Sequence, residues 1–323
     1  MKVWKISLAI AVSVFAALAQ PLDAPAQSYP AKAITLIVPC PAGGRTDLTA
    51  RALAEALKDD LRQPVVVVNK PGASGVLGAK EVAGAQPDGY TLGLFSTGFL
   101  TTQYTVPTPT NVKDYELIAL VNYDPAAIAA SAASGWTSLA QVIAAGKAKP
   151  KSIKVGINPG NSAHVFAGAF TKATGLDVIY VPFKGGSERA TAIAGGHIDL
   201  DFDIVAPMKP LMEAGKLKVL GVATDRRSEL YPQIPTWREQ GVDLSIYSWH
   251  GIFAPKDTPA PVLAAVEASL QRVARNPKFL AQMEKLLLGV RYMGRQEFAT
   301  FFAEQDALMR PLIQSLGLMA KPQ

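Results

Sequence analysis

Residues 34–47 read ITLIVPCPAGGRTD, a short apolar strand running into Pro-Ala-Gly-Gly and then into a helix. A strand that stops at glycines just before a helix leaves several backbone N–H groups pointing at whatever sits there, and the helix start adds its own partial positive charge. Chemically that is a seat for an anion. A second stretch of the same design, YVPFKGGSER, occupies residues 180–189. Two such seats far apart in sequence imply a ligand gripped from two sides.

Outward from the first seat the chain alternates strands and helices. The periodicity predicts a strand at 34–38, a helix at 48–61, a continuous apolar strand at 65–68, a helix at 76–85 and a strand at 90–95. This β-α-β-α-β run reads as a parallel sheet with right-handed crossovers. A second unit of the same kind begins after Asp124-Pro125. Its strands are expected at 126–130, 153–157, 178–181, 198–202 and 217–223, and its helices at 138–147, 163–174, 187–194 and 208–214. The end reads as helical over 261–276, 277–287 and 296–316. The return to the first unit is expected to pass through 247–254, YSWHGIFA. Two crossings make a hinge, and the ligand then belongs in the cleft. The expected division is a leader at 1–26, one domain from 27–124 plus 249–323, and a second domain at 125–248.

The length of 323 residues, about half of them apolar, fits roughly two domains. Lys2 and Lys5, the apolar run 6–18 and the small-x-small triplet Ala24-Pro25-Ala26 form the pattern of a secretory signal peptide, cut after Ala26. The run is too short to span a bilayer comfortably. Its removal lowers the formal charge from +6 to +5, with 30 basic against 25 acidic side chains left. This mild basicity fits an anionic ligand, and no Lys/Arg block with interleaved aromatics supports nucleic-acid binding. Cys40 is the single cysteine, so no intrachain disulfide forms, and it reads as a buried or loop-lining thiol acting as a small hydrophobe.

Several chemistries fail on spacing. The first loop lacks the Lys-Ser/Thr of a P-loop, and Gly72, Gly75 and Gly78 have the wrong spacing for a dinucleotide fingerprint. No G-x-S-x-G elbow occurs, although Ser162 and His164 keep an exported hydrolase as an alternative. His164, His197 and His250 show no metal-ligand spacing. Thr46 and Asp47 are N-cap types and equally candidate ligand contacts. Arg45 is either a solvated loop side chain or a fork for a carboxylate. His164 is either helix-start packing or a cleft contact.

The pieces along the chain resemble the solute receptors of tripartite tricarboxylate transporters, also called the Bug family. They are Tyr29-Pro30; Val38-Pro39 through Gly43-Gly44 to Asp47; Asn69-x-Pro71-Gly72-Ala73; Pro87-Asp88-Gly89-Tyr90-Thr91-Leu92; Gly160, Ser162 and His164; Val181-Pro182-Phe183-Lys184-Gly185-Gly186; Gly196-His197-Ile198-Asp199; and Ser248-Trp249-His250-Gly251-Ile252-Phe253-Ala254-Pro255.

The resemblance implies an α/β periplasmic-binding-protein fold of type II-like form. This is a Venus flytrap of two doubly wound α/β domains joined by two crossover segments. It implies a monomeric periplasmic receptor, with no catalysis and no cofactor, that hands a small carboxylate to membrane permease subunits. A dicarboxylate, an aromatic carboxylate or an acidic amino acid would suit, and a ligand sensor for a membrane kinase shares the same frame. By matching position the ligand contacts would be Ala42, Gly43, Gly44, Arg45, Thr46 and Asp47 on the first loop and Lys184, Gly185, Gly186 and Ser187 on the second. Ser96, Thr97, Ser162, Ala163, His164 and Asp203 would line the cleft. Cys40, Arg45, Ser187-Glu188 and His250 depart from the family's usual residues, so the frame is kept and the lining is changed.

Overall fold

The computed structural model describes residues 29–320, and the expected leader and its cut after Ala26 lie outside them. The described residues from 32 onward form one compact unit.

The strands of this unit are β1 (Ile34–Val38), β2 (Val65–Asn69), β3 (Thr91–Ser96), β4 (Tyr115–Pro125), β5 (Ala127–Ser131), β6 (Lys154–Ile157), β7 (Ile179–Pro182), β8 (Leu200–Asp203), β9 (Leu217–Val222) and β10 (Tyr247–Pro255). They make two five-stranded sheets, ordered β2-β1-β3-β10-β4 and β7-β6-β8-β5-β9. The helices are α1 (Arg45–Leu61), α2 (Val76–Ala83), α3 (Thr97–Thr105), α4 (Leu139–Ala148), α5 (Ser162–Thr174), α6 (Gly186–Ala194), α7 (Lys209–Glu213), α8 (Ala260–Val273), α9 (Pro277–Lys285) and α10 (Arg295–Ser315). Among the described residues no helix is long and apolar enough to cross a membrane.

The first run, β1 to β3, is parallel as expected, but each sheet as a whole is mixed, and the opening strand of the second unit, β5, is antiparallel to its neighbours. β1 runs parallel to β2 and β3, but β10 is antiparallel to β3 and β4. In the second sheet β6 runs parallel to β7 and β8, whereas β5 is antiparallel to β8 and β9. The reason is the chain's path between the sheets. β4 passes directly into β5, and β10 returns, so each sheet receives one strand entering from the other lobe. The crossings lie side by side: Ala126 N–H donates to the Ile246 carbonyl at 2.8 Å, and Tyr247 pairs with Pro125.

Four elements differ from the sequence reading. The segment 247–254, expected as a linker, lies within the nine-residue strand β10, buried along Ser248–Pro255 because it sits between β3 and β4. The segments 97–105 and 115–125, which carry no expected element, are α3 and β4. α3 is rich in threonine, so it lacks an apolar stripe, yet Thr97, Thr101 and Thr102 are buried. α1 begins at Arg45 and not at 48, because Gly44 takes the extended N-cap position and the first turn needs no apolar periodicity.

Aromatic packing holds α3 in place. Phe95 of β3 stacks on Phe99 of α3 at 4.7 Å and on Phe253 of β10 at 4.9 Å. In the other lobe Phe170, Phe202 and Trp237 pack between α5 and its sheet, with centroids 5.2–6.2 Å apart. These two rigid floors fix the positions of the helices whose N-termini meet between the lobes.

Candidate functional site

Between the lobes lies a cavity of about 660 Å³. Four helices begin on its wall: α1 through Gly44, Arg45 and Thr46, α3 through its N-cap Ser96, α5 through Asn161, Ser162 and Ala163, and α6 through Gly185 and Gly186. Each helix start carries roughly half a positive charge, so their convergence favours an anion. Pro39, Pro41, Phe99, Pro159 and Phe183 supply apolar wall around that charge.

The two anion seats touch. Gly43 has φ +80°, a conformation that turns the loop into α1 and suits glycine. Gly185 has no side chain because one would not fit: a Cβ there would lie 2.8 Å from Pro41 Cγ. Ser187 Oγ donates to the Ala42 carbonyl at 2.6 Å, Ser74 Oγ to the Pro159 carbonyl at 2.8 Å, and Thr105 Oγ1 to the Gly160 carbonyl at 2.6 Å. The lobes are thus laced together at the cavity rim.

Arg45 crosses the cleft. Its Nη1 donates to Asp203 Oδ1 at 3.1 Å, its Nη2 donates to Ser162 Oγ, and its guanidinium lies 5.9 Å from the centroid of the Phe166 ring. Asp203 Oδ2 in turn accepts from Arg189 Nη2 at 2.6 Å, and Arg189 Nε donates to Asp201 Oδ1 at 2.6 Å. Asn158 Oδ1 accepts from Arg189 Nη1. All four charged groups are buried. They alternate in sign and sum to zero, which is how ions tolerate burial.

A second polar row leads from the cleft to the hinge. The Thr46 hydroxyl lies 3.0 Å from His250 Nε2, and His250 Nδ1 lies 2.5 Å from Asn122 Oδ1. Asn122 Nδ2 donates to Asp124 Oδ2 at 2.6 Å, and Gly289 N–H donates to Asp124 Oδ1 at 2.7 Å. An amide oxygen only accepts, so Nδ1 of His250 carries the proton and Nε2 accepts from Thr46. Burial, with the charge of Arg45 adding to it, holds His250 well below its ordinary range, so it stays neutral. Burial also pushes the Asp124 carboxyl up to about 7.

The sequence-predicted residues divide. Gly44, Arg45, Thr46, Ser96, Ser162, Ala163, Lys184, Gly185, Gly186 and Asp203 stand on the cavity wall. Ala42, Gly43, Asp47, Thr97, His164 and Ser187 do not, and their bonds explain why. Asp47 accepts from Gly43 N–H, Arg51 and Asn69, so it braces the loop from behind. Burial works against its ionisation, but those bonds prevail and hold it below the usual carboxylate range. Thr97 Oγ1 accepts from Trp249 N–H at 3.0 Å and ties α3 to β10. His164 Nδ1 accepts from Gly160 N–H and its ring meets Tyr180 edge-on, which is helix-start packing. Ala42 and Ser187 bond each other across the cleft.

Sequence reasoning missed Asn158, Asn161, Arg189, Glu188, Phe99, Phe183 and the loop 71–75 on the wall. Arg189 had a signal: it stands four residues before Ile193 on the apolar face of α6, an odd place for an unpaired arginine. Cys40 also lines the cavity, and burial pushes its thiol up to about 12, far from a reactive thiolate.

Comparison with known proteins agrees with this geometry. A protein of Cupriavidus necator, the UPF0065 protein in gbd 5'region, is 32% identical over 315 residues, covering 96% of this chain and 95% of that one. The solved structure of the periplasmic binding protein BugD superposes with a TM-score of 0.85 at 30% identity, covering 91% of this chain and 100% of BugD. The structure of R. palustris Rpa4515 with adipate superposes with a TM-score of 0.86 at 25% identity, covering 90% of this chain and 98% of that one. The model of the tripartite tricarboxylate transporter family receptor matches residues 49–318. With two Venus-flytrap lobes, a cavity ringed by helix starts and a family model spanning nearly the whole described chain, this protein belongs to the tripartite tricarboxylate transporter receptor family.

Proposed function

We propose that this chain is a periplasmic receptor that captures one small organic carboxylate in the interdomain cleft and delivers it to a tripartite tricarboxylate-type permease. The observation that carries the reading is the convergence of four helix N-termini on one cavity of about 660 Å³. A carboxylate placed there meets backbone N–H groups and four positive dipole ends in a site sheltered from water, where such interactions are strong. Adipate in a relative's structure accords with a carboxylate as the cargo.

The ligand contacts we assign are Gly44, Arg45, Thr46, Ser96, Ser162, Ala163, Gly185 and Gly186, with Lys184 and Asp203 at the wall. The moving bodies are 27–124 with 249–323 and 125–248, turning about the paired crossings at Pro125–Ala126 and Ile246–Tyr247. The mature receptor begins after Ala26 and acts as a monomer. Catalysis has no support from the local chemistry: Ser162 Oγ accepts from Arg45 and donates to Asn161 Oδ1, while His164 is engaged with Gly160.

A thermal-shift screen of carboxylates tests the proposal. A ligand present at about a thousand times its Kd stabilises by about 4 kcal/mol, a shift of several degrees. No shift with any dicarboxylate, aromatic carboxylate or amino acid contradicts it.

A further inference from the structure

We propose that Arg45 makes this cleft select carboxylates that lack an amino group, by occupying the one buried acidic acceptor that a ligand ammonium would need. The inference rests on the receptor reading above and narrows its ligand class.

Among the described residues the cavity wall carries two carboxylates, Asp203 and Glu188. Glu188 is exposed, and its Oε2 accepts from the Lys184 N–H at 2.9 Å, so it sits at the rim and braces the second seat. Asp203 is the buried one, at 6% exposure. Each of its oxygens already holds a guanidinium N–H. Oδ1 accepts from Arg45 Nη1 at 3.1 Å and from Ile204 N–H at 2.9 Å, and Oδ2 accepts from Arg189 Nη2 at 2.6 Å. Its charge therefore faces two guanidiniums.

An amino acid entering this site brings its ammonium next to Arg45 with no uncommitted buried anion to receive it. A buried charge left unpaired is costly, and a like charge beside it adds repulsion. The corresponding acid without the amino group makes the same carboxylate contacts and escapes both costs. Arg45 is held in this position by Asp203, by Ser162 and by the Phe166 ring, so it cannot swing away without breaking them.

The same geometry says what removing Arg45 does. The row Arg45–Asp203–Arg189–Asp201 is neutral with Arg45 present and carries one negative charge without it. A ligand ammonium then supplies the missing cation at Asp203 Oδ1. Arg45 acts here through charge occupancy as a specificity determinant.

Calorimetric titration with matched pairs is the test: 3-phenylpropionate against L-phenylalanine, and adipate against L-2-aminoadipate. In the wild-type protein at least one pair binds, and its amine-free member binds at least tenfold more tightly. In Arg45→Met, which keeps length and loses charge, that ratio falls at least tenfold, and adding Asp203→Asn to Arg45→Met cancels the gain for the amino acid. Equal or tighter binding of the amino acid by the wild type overturns the inference while the receptor reading stands. An unchanged ratio in folded Arg45→Met overturns the role given to Arg45. Binding of no member and no other carboxylate overturns the receptor reading and the inference with it. The wild-type comparison needs no variant, so it decides the selectivity even if Arg45→Met fails to fold.

Discussion

His250 on β10 accepts the hydroxyl of Thr46, 204 positions earlier on α1, at 3.0 Å, and through Asn122 it links that residue to Asp124 at the hinge. The first turn of the helix that faces the cavity is therefore bonded to the strand that crosses between the lobes. His250→Phe, which keeps a ring but no polar atom, leaves the buried Asn122 amide oxygen without a donor. A buried polar group so orphaned costs about 1–3 kcal/mol. The expected result is a stability loss of that size in urea unfolding, together with weaker ligand binding because Thr46 loses its anchor. Unchanged stability and affinity would mean the row does not matter.

The Asp124 carboxyl gives a pH signature. Burial raises it from 3.8 to about 7. Between those values the native state holds a proton that the unfolded chain has released. The stability tied to this group is complete at the acid end and is lost as pH rises through about 7, at up to ~1.36 kcal/mol per pH unit. Asp124→Asn lacks that loss. Its stability relative to wild type should improve steadily from pH 5 to 7 and then level off. His250, held neutral, slopes the opposite way below its ordinary range, but this is common to both proteins and cancels in the difference. Urea unfolding at pH 5, 6, 7 and 8 measures it, and parallel curves would contradict the assignment.

Gly185 limits how closely the seats can approach. A methyl group there meets the stiff Pro41 ring at 2.8 Å. The backbone of Gly185 is extended, with φ −166°, so alanine is tolerated conformationally. The strain of Gly185→Ala falls on closure. Overpacking of this kind costs about 1–3 kcal/mol, which predicts roughly a tenfold or greater loss of ligand affinity, chiefly as faster release. Stopped-flow dissociation read beside circular dichroism separates this from misfolding, since the variant should keep the wild-type spectrum.

Much of this was legible from residues 34–47 and 180–189, because strand–glycine–helix turns announce themselves through apolar runs and Gly pairs. Eight of the ten wall residues foreseen lie at the four helix starts or their caps, where the chemistry is local. What escaped was non-local. β10 carries Ser248, His250 and Gly251 among its apolar residues, so it lost the continuous pattern of a central strand. α3 hides its burial behind threonines. Arg189 and Asp201, twelve positions apart, pair only because β8 brings Asp201 back under α6. The sequence leaves Arg45 as a solvated loop side chain or a fork for a carboxylate, and the carboxylate it reaches in this structure is the chain's own Asp203.

Loss of Asp203 shows how far the buried row supports the closed cleft. Asp203→Ala strips Arg45 of its carboxylate and leaves Arg189 with Asp201 alone. Removing one partner of a buried pair costs about 3–5 kcal/mol. Thermal unfolding of Asp203→Ala should show a loss of that order, whereas an effect under 1 kcal/mol would mean that water reaches the row freely.

The claim that the cleft is a carboxylate site is tested most directly by titrating the protein with the best-binding acid of the thermal-shift panel and with its primary amide. The two have nearly the same shape and differ in charge. The account predicts one-to-one binding of the acid and at least a hundredfold weaker binding of the amide, because the four helix starts act on the negative charge. Equal affinity for acid and amide would contradict it.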